Sequence, residues 1–172
     1  MIDFPVQFSI NGQLYHWHFI LETLAFIIGV RLYYYLKKQV QDPISDVNRL
    51  WIMLGAMLGA LVGSRVIAIL ETPTQLHEIT FMTLFASKTI AGGFLGGLFG
   101  VEIIKKFIGV KIASGDLYVV PILVALFIGR LGCFLMGIDE PTYGVTTQFF
   151  MGMDLGDGLK RHPVALYEMI YA

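Results

Sequence analysis

Arg130 is enclosed by apolar sequence: Leu, Ile and Val dominate the stretch from Tyr118 to Met136, and its neighbours read Gly129-Arg130-Leu131-Gly132-Cys133. An arginine at membrane depth costs about 2.5–3.5 kcal/mol even on the milder insertion scales, so it asks for a polar cavity, an ion-pair partner or a substrate group. Its planar fork of donors suits a phosphate better than any other side chain does. The chemistry suggested is the gripping of a phospholipid phosphate inside a bilayer. A structural ion pair with Glu22, Glu102 or Asp116 is the alternative for the same residue.

A second candidate cluster is Arg161-His162-Pro163. Proline is suited to opening a helix, and the N–H groups of a helix start attract anions. Two arginines and a helix start therefore have the means to converge on one phosphate. His16 and His18 flank Trp17 at the start of the first apolar run, and a neutral imidazole near pH 7 is a natural proton acceptor. Arg65 closes Gly63-Ser64-Arg65 near the end of the second run, where a long side chain snorkels readily. The four histidines lack metal-ligand spacing with acidic neighbours, so spacing points to no zinc site. Cys133 is the one cysteine, which excludes a disulfide framework and reads as a buried thiol. No cofactor is indicated.

These residues need helices to hold them. The chain has 172 residues, 56% of them hydrophobic and 15% charged, with mean hydropathy +0.70; soluble domains carry about a quarter charged residues. Four runs, His16–Leu36, Leu50–Leu70, Thr89–Ile108 and Tyr118–Met136, approach the roughly 20 residues needed to cross a hydrocarbon core. A fifth begins at Pro163 and is still short at Ala172, as in a chain truncated at its C-terminus. The expectation is an all-α, polytopic membrane helix bundle, one transmembrane domain over 1–172 with an external loop at 138–162. Gly55, Gly59 and Gly63, and again Gly92, Gly96 and Gly100, recur every fourth residue, a spacing that lets helix backbones approach closely. For Gly92 and Gly93 the alternative is backbone open to a lipid head group.

The net charge of -1 suggests neither nucleic acid nor an acidic partner. The placement of charge is more informative. Lys37, Lys38 and Arg49 mark one loop and Lys105, Lys106 and Lys111 another, while the alternate ones carry Glu71, Glu78 and Lys88, then Asp139, Glu140, Asp154, Asp157, Lys160 and Arg161. The positive-inside rule puts the basic loops in the cytoplasm and the N-terminus outside. A signal peptide is not visible.

In order along the chain, Phe8-Ser9-Ile10 with His16-Trp17, Val62-Gly63-Ser64-Arg65, Gly92-Gly93 with Gly96, Asp116 ahead of Pro121, Gly129-Arg130-Leu131-Gly132 with Phe134, Gly144, and Arg161-His162-Pro163 with Leu166-Tyr167-Glu168 resemble the bacterial prolipoprotein diacylglyceryl transferase family. The resemblance covers essentially the whole chain. It implies a multi-pass enzyme of the bacterial inner membrane that moves the diacylglyceryl group of phosphatidylglycerol to the lipobox cysteine thiol in a prolipoprotein signal peptide. Membrane lipids and that peptide would be its partners. Carried onto this sequence, it implies Arg130, Gly129, Gly132, Arg65, Gly92, Gly93, Gly144, Arg161 and His16 at the substrate. Arg130 would hold the charge developing on the leaving phosphate, and a base would take the proton of the attacking thiol. The sequence departs from the family pattern at three positions: Ala91 in place of His, Cys133 in place of Asn, and His18 in place of Tyr. His162, within a matched segment, and then His18 are the candidates for the base. A non-catalytic phospholipid-binding relative is the alternative function.

The charge pattern gives a direct expectation. In a Cys133→Ala background, a membrane-impermeant thiol reagent added from outside should label a cysteine placed at His77 and not one placed at Gln41. The reverse pattern would invert the orientation.

Overall fold

A computed structural model describes residues 3–71 and 88–172. His77 and Glu78, part of the charge pattern above, lie outside the described residues. The elements run β1 (Gln7–Ile10), β2 (Gln13–His16), α1 (Trp17–Gln39), α2 (Asp46–Glu71), α3 (Ile90–Ile108), α4 (Asp116–Met136), a 3-10 turn (Gly137–Asp139), β3 (Met153–Asp154), β4 (Lys160–Arg161) and α5 (Val164–Tyr171). The chain is thus predominantly helical, with two short antiparallel strand pairs. It divides into two compact units, Met1–Gln41 with Gly115–Ala172, and Asp42–Ser114.

In the first unit α1 and α4 pack antiparallel. Near one end Tyr33 stacks on Tyr118, ring centroids 4.8 Å apart and planes 8° apart. At the other end Gly132 lies against His18. Between them Gly29 lets the helices close: a Cβ there would stand 3.2 Å from Ala125 Cβ. The β1–β2 hairpin turns through Asn11 and Gly12, both at positive φ (52° and 80°), the signature of an Asn-Gly type I′ turn. It is tied to α4 through Val6 N–H, which donates to Leu135 O at 2.8 Å. Beyond α4, Phe134, Leu155 and Met169 form a small core, with Phe4, Leu131 and Leu166 against it. That core folds the connection at 140–163 back onto α4 and seats α5.

The second unit is the pairing of α2 with α3. A Cβ on Gly59 would collide with Gly96 O, one on Gly63 with Gly92 O, and one on Gly100 with Gly55 O. The two glycine series therefore interlock in antiparallel register, so their spacing serves packing. Thr89 caps α3, accepting from Gly92 N–H at 3.1 Å. Arg49, expected only as a loop charge, is buried: Nε and Nη2 each donate at 2.7 Å to the two Asp42 oxygens, and Nη1 to Ser114 O at 2.6 Å. This bidentate clamp closes the unit at both of its chain ends.

Among the described residues, three helices are long and apolar enough to cross a membrane: Trp17–Gln39, Asp46–Glu71, and Asp116–Asp139, which includes the 3-10 turn. The fourth expected span forms as α3, but its 19 residues carry Glu102, Lys105 and Lys106 in the closing turns, with Lys105 Nζ 2.9 Å from Glu102. Those charges shorten its apolar stretch. Large apolar side chains face outward along the helices, among them Phe19, Phe26, Leu58, Leu61 and Phe107. Patches of that kind are rare on soluble monomers and fit contact with lipid.

The interlock makes a sharp distinction between neighbouring glycines. Gly96→Val places carbons against Gly59 O and Gly63 Cα and should destabilise by about 1–3 kcal/mol or more through overpacking. Gly93→Ala adds a Cβ that meets only Ser64 Cβ at 3.9 Å and should be neutral. Thermal unfolding in detergent micelles reads both, and equal melting temperatures for the two variants would contradict the register.

Candidate functional site

Arg130 and Cys133 are separated by three residues near the end of α4, which puts them on one helix face. Arg130 is 6% exposed. Its Nε lies 2.6 Å from Glu168 Oε2, on α5. On the other edge Nη1 lies 3.6 Å from Cys133 Sγ and 3.4 Å from Thr142 Oγ1. Thr142 in turn donates to Glu140 Oε1 at 3.2 Å. The ion-pair partner is thus none of Glu22, Glu102 and Asp116, the three weighed from sequence. Glu168 takes that role because the Phe134–Leu155–Met169 core brings α5 back against α4. Its side chain remains 36% exposed, so one carboxylate neutralises the guanidinium without sealing it. Cys133 and Thr142, which this edge approaches, line a small cleft together with Glu140, Tyr143 and Pro163.

His18 reaches the same neighbourhood from α1. A Cβ at Gly132 would stand 3.3 Å from both Cα and Nδ1 of His18, so glycine eases this approach. His18 Nε2 is 3.8 Å from Glu22 Oε2, and Nδ1 is buried without a hydrogen-bond partner. The ligand atoms of His18, Cys133 and Glu140 all lie within 4.8 Å of one another. Sequence spacing hid this group, because His18 comes from α1, Cys133 from α4 and Glu140 from the turn after it.

The other expected residues divide. Gly129 has open space where a Cβ would be. His16 places Nε2 at 3.4 Å from Gln7 Nε2 across the hairpin, and its Nδ1 is buried without a partner. His162, the first choice for a base, engages Tyr167 OH through Nδ1 at 3.0 Å, while its backbone packs on Gly144; it is His18 that shares a cluster with Cys133. Arg161 was expected to join Arg130 at a helix start. It lies instead on β4, ahead of α5, where Nη2 and Nε contact Asp157 Oδ2 at 2.6 and 2.8 Å, Nη1 donates to Gly144 O at 3.4 Å, and the guanidinium covers the Tyr143 ring. Its fork is spent on holding the connection together. In the second unit, Arg65 Nη1 donates to Ser64 Oγ at 2.8 Å, Gly92 packs on Gly63 and Gly93 has room beside it. Glu168, Glu140 and Thr142 escaped sequence reasoning as contributors to the site, although Glu168 stands in a matched segment.

The Arg161 hydrogen bond, followed by the Leu159 N–H, holds the Asp157 carboxyl below its ordinary range, and the same contact raises Arg161. A carboxyl depressed on folding contributes stability in full above its unfolded pKa of about 4. That contribution is lost as pH falls through the lower folded value. Hydrogen-exchange protection across 153–161, taken relative to the intrinsic rate at each pH, should therefore fall on acidification below about pH 4, by protonation of a carboxyl that ionises near there when unfolded. Asp157→Asn should show the lower protection already at neutral pH. Exchange in Asp157→Asn matching that of the unsubstituted protein would remove the ion pair from the loop's support.

Residues 5–172 match the family described as prolipoprotein diacylglyceryl transferase. The phosphatidylglycerol–prolipoprotein diacylglyceryl transferase of Wolbachia sp. subsp. Brugia malayi (strain TRS) is 27% identical over 181 residues, covering 97% of this chain and 65% of that protein. The protein of the same name from Campylobacter jejuni (strain 81-176) is 28% identical, over 95% of this chain and 64% of its own length. That from Rickettsia rickettsii (strain Sheila Smith) is 26% identical over 97% and 66%. The chain therefore spans about two thirds of the length of these relatives. With the helices, the Gly-Arg-x-Gly turn of α4 and the Arg-His-Pro…Leu-Tyr-Glu segment all inside the matched region, this chain belongs to the prolipoprotein diacylglyceryl transferase family.

Proposed function

We propose that this protein transfers the diacylglyceryl group of phosphatidylglycerol to the lipobox cysteine of a prolipoprotein in the bacterial inner membrane. The observation that carries this reading is the buried Arg130, neutralised on its Nε edge by Glu168 and with Nη1 beside Cys133 and Thr142. In the reaction the acceptor sulfur forms a bond to the terminal glyceryl carbon, and the carbon–oxygen bond to phosphate breaks. Glycerol phosphate leaves, and the thiol proton passes to a base. Charge grows on the departing phosphate oxygens, and a guanidinium already desolvated and aimed stabilises it without reorganising. Phosphate at the Nη1 edge makes Arg130 the bridge between substrate and Glu168.

The reading includes a multi-pass topology with the N-terminus outside, so that the 138–162 connection and the start of α1 face the side where exported lipoproteins present their cysteines. Gly129 and Gly132 then serve approach, of lipid at the open Gly129 and of His18 at Gly132. One observation favours the second reading, a phospholipid-binding protein without catalysis: Ala91, exposed on α3, supplies no base.

Arg130→Lys separates the roles. It keeps the charge opposite Glu168 but loses the fork, so the protein should remain folded and inserted while transfer falls by about 10²-fold, the scale of one lost charge-stabilising donor. Transfer is read with phosphatidylglycerol and a lipobox peptide, and by rescue of cells depleted of their own transferase with the full-length gene. Failure of the unsubstituted gene to rescue, with lipid still bound, would establish the non-catalytic reading. Rescue by Arg130→Lys at the unsubstituted rate would remove Arg130 from the phosphate.

A further inference from the structure

We propose that His18, Cys133 and Glu140 form a zinc site whose open position takes the acceptor thiol. Three elements deliver one nitrogen, one sulfur and one oxygen ligand to a common point, all within 4.8 Å of one another. Around tetrahedral zinc, donors at about 2.0–2.3 Å from the ion stand about 3.3–3.8 Å apart. Closing onto an ion thus takes side-chain shifts of about 1 Å, which rotamer adjustment supplies. Three protein ligands and one open position is the pattern of a reactive zinc, as opposed to a closed structural one.

The surroundings point the same way. His18 has its two nitrogens in different environments: Nε2 faces Glu22 at 3.8 Å, and Nδ1 is buried without a hydrogen-bond partner. A small approach of Glu22 would hydrogen-bond Nε2 and leave the Nδ1 lone pair for a metal. Cys133 Sγ lies 3.6 Å from Arg130 Nη1. Glu140 is oriented by Thr142 at 3.2 Å. The charges of a divalent ion, a thiolate and a carboxylate cancel, and Arg130 with Glu168 is already a neutral pair. A soft sulfur with imidazole selects zinc over magnesium or calcium.

The site absorbs two of the three sequence departures, His18 and Cys133, and answers the third, Ala91. A thiol coordinated to zinc is deprotonated outright, which supplies what a histidine base would. On binding, the acceptor thiol gives its proton to water and its sulfur to the metal. As the carbon–sulfur bond forms, the thioether leaves zinc and glycerol phosphate departs. This role rests on the transferase reading, whereas the site itself does not.

The test uses the full-length protein in detergent micelles with zinc alone, and then cobalt alone, as probes. The unsubstituted protein should retain about one zinc per chain after dialysis, as a three-ligand site does. With cobalt it should show a thiolate-to-metal charge-transfer band. Cys133→Ser and His18→Gln should abolish stoichiometric zinc, Cys133→Ser should also erase the band, and Glu22→Gln should weaken zinc by about tenfold through its backing of His18. No zinc and no cobalt band in the unsubstituted protein, or undiminished zinc in Cys133→Ser, would overturn the site. Transfer at full rate by chelator-stripped protein would overturn the role in thiol activation while leaving the transferase reading intact. Zinc bound at the site without transfer in any metal state would uphold the site and sink the transferase reading.

Discussion

The buried guanidinium of Arg130 constrains everything around it. A charge at this depth asks for a compensating group, and α4 meets that demand with a carboxylate against it. Glu168 is that carboxylate, 2.6 Å away, and it arrives only because the chain after α4 turns back. The turn at Gly137, where a Cβ would strike Leu155 O and crowd Phe4, and the core of Phe134, Leu155 and Met169 exist to make that return. The same reversal carries Glu140 and Thr142 to the opposite edge of the fork. One ion pair therefore dictates the local path of the chain and the composition of the cleft.

The rest of the described structure is helix pairing by small residues. In a hydrocarbon surround there is no hydrophobic gain in pressing Leu on Leu, so contact must come from close backbone approach. Gly29 does this between α1 and α4, and the two interlocked glycine series do it between α2 and α3. Gly132 applies the same device to a polar purpose, since the lack of a Cβ gives His18 room to come beside the Cys133 face of α4. Packing and chemistry are joined there by one missing methyl group.

Much of this was legible in the sequence. Run length and composition are local properties, so the helices at 17–39, 46–71, 90–108 and 116–136 follow closely the four apolar runs. The glycine spacing read correctly as packing, because a four-residue period keeps a helix face whatever it meets. Arg130 was conspicuous for the same local reason: a charge inside an apolar run stands out without any knowledge of its neighbours. The ordered motifs indicated the family, which the match over residues 5–172 establishes.

What tertiary structure alone decided is who meets whom. The partner of Arg130 was sought among acids inside or beside the apolar runs, yet it came from the helix that begins after the longest connection. Arg161 was read as a second phosphate ligand by its place before Pro163, and its contact with Asp157 across the loop could be seen only in the folded chain. Spacing argued against a metal ligand set, and three elements distant in sequence brought His18, Cys133 and Glu140 together. Sequence records which groups carry charge or lone pairs and how long each helix is. Pairing is a property of distances between elements, set by glycine contacts and a small core at the end of α4, and no local pattern encodes those distances.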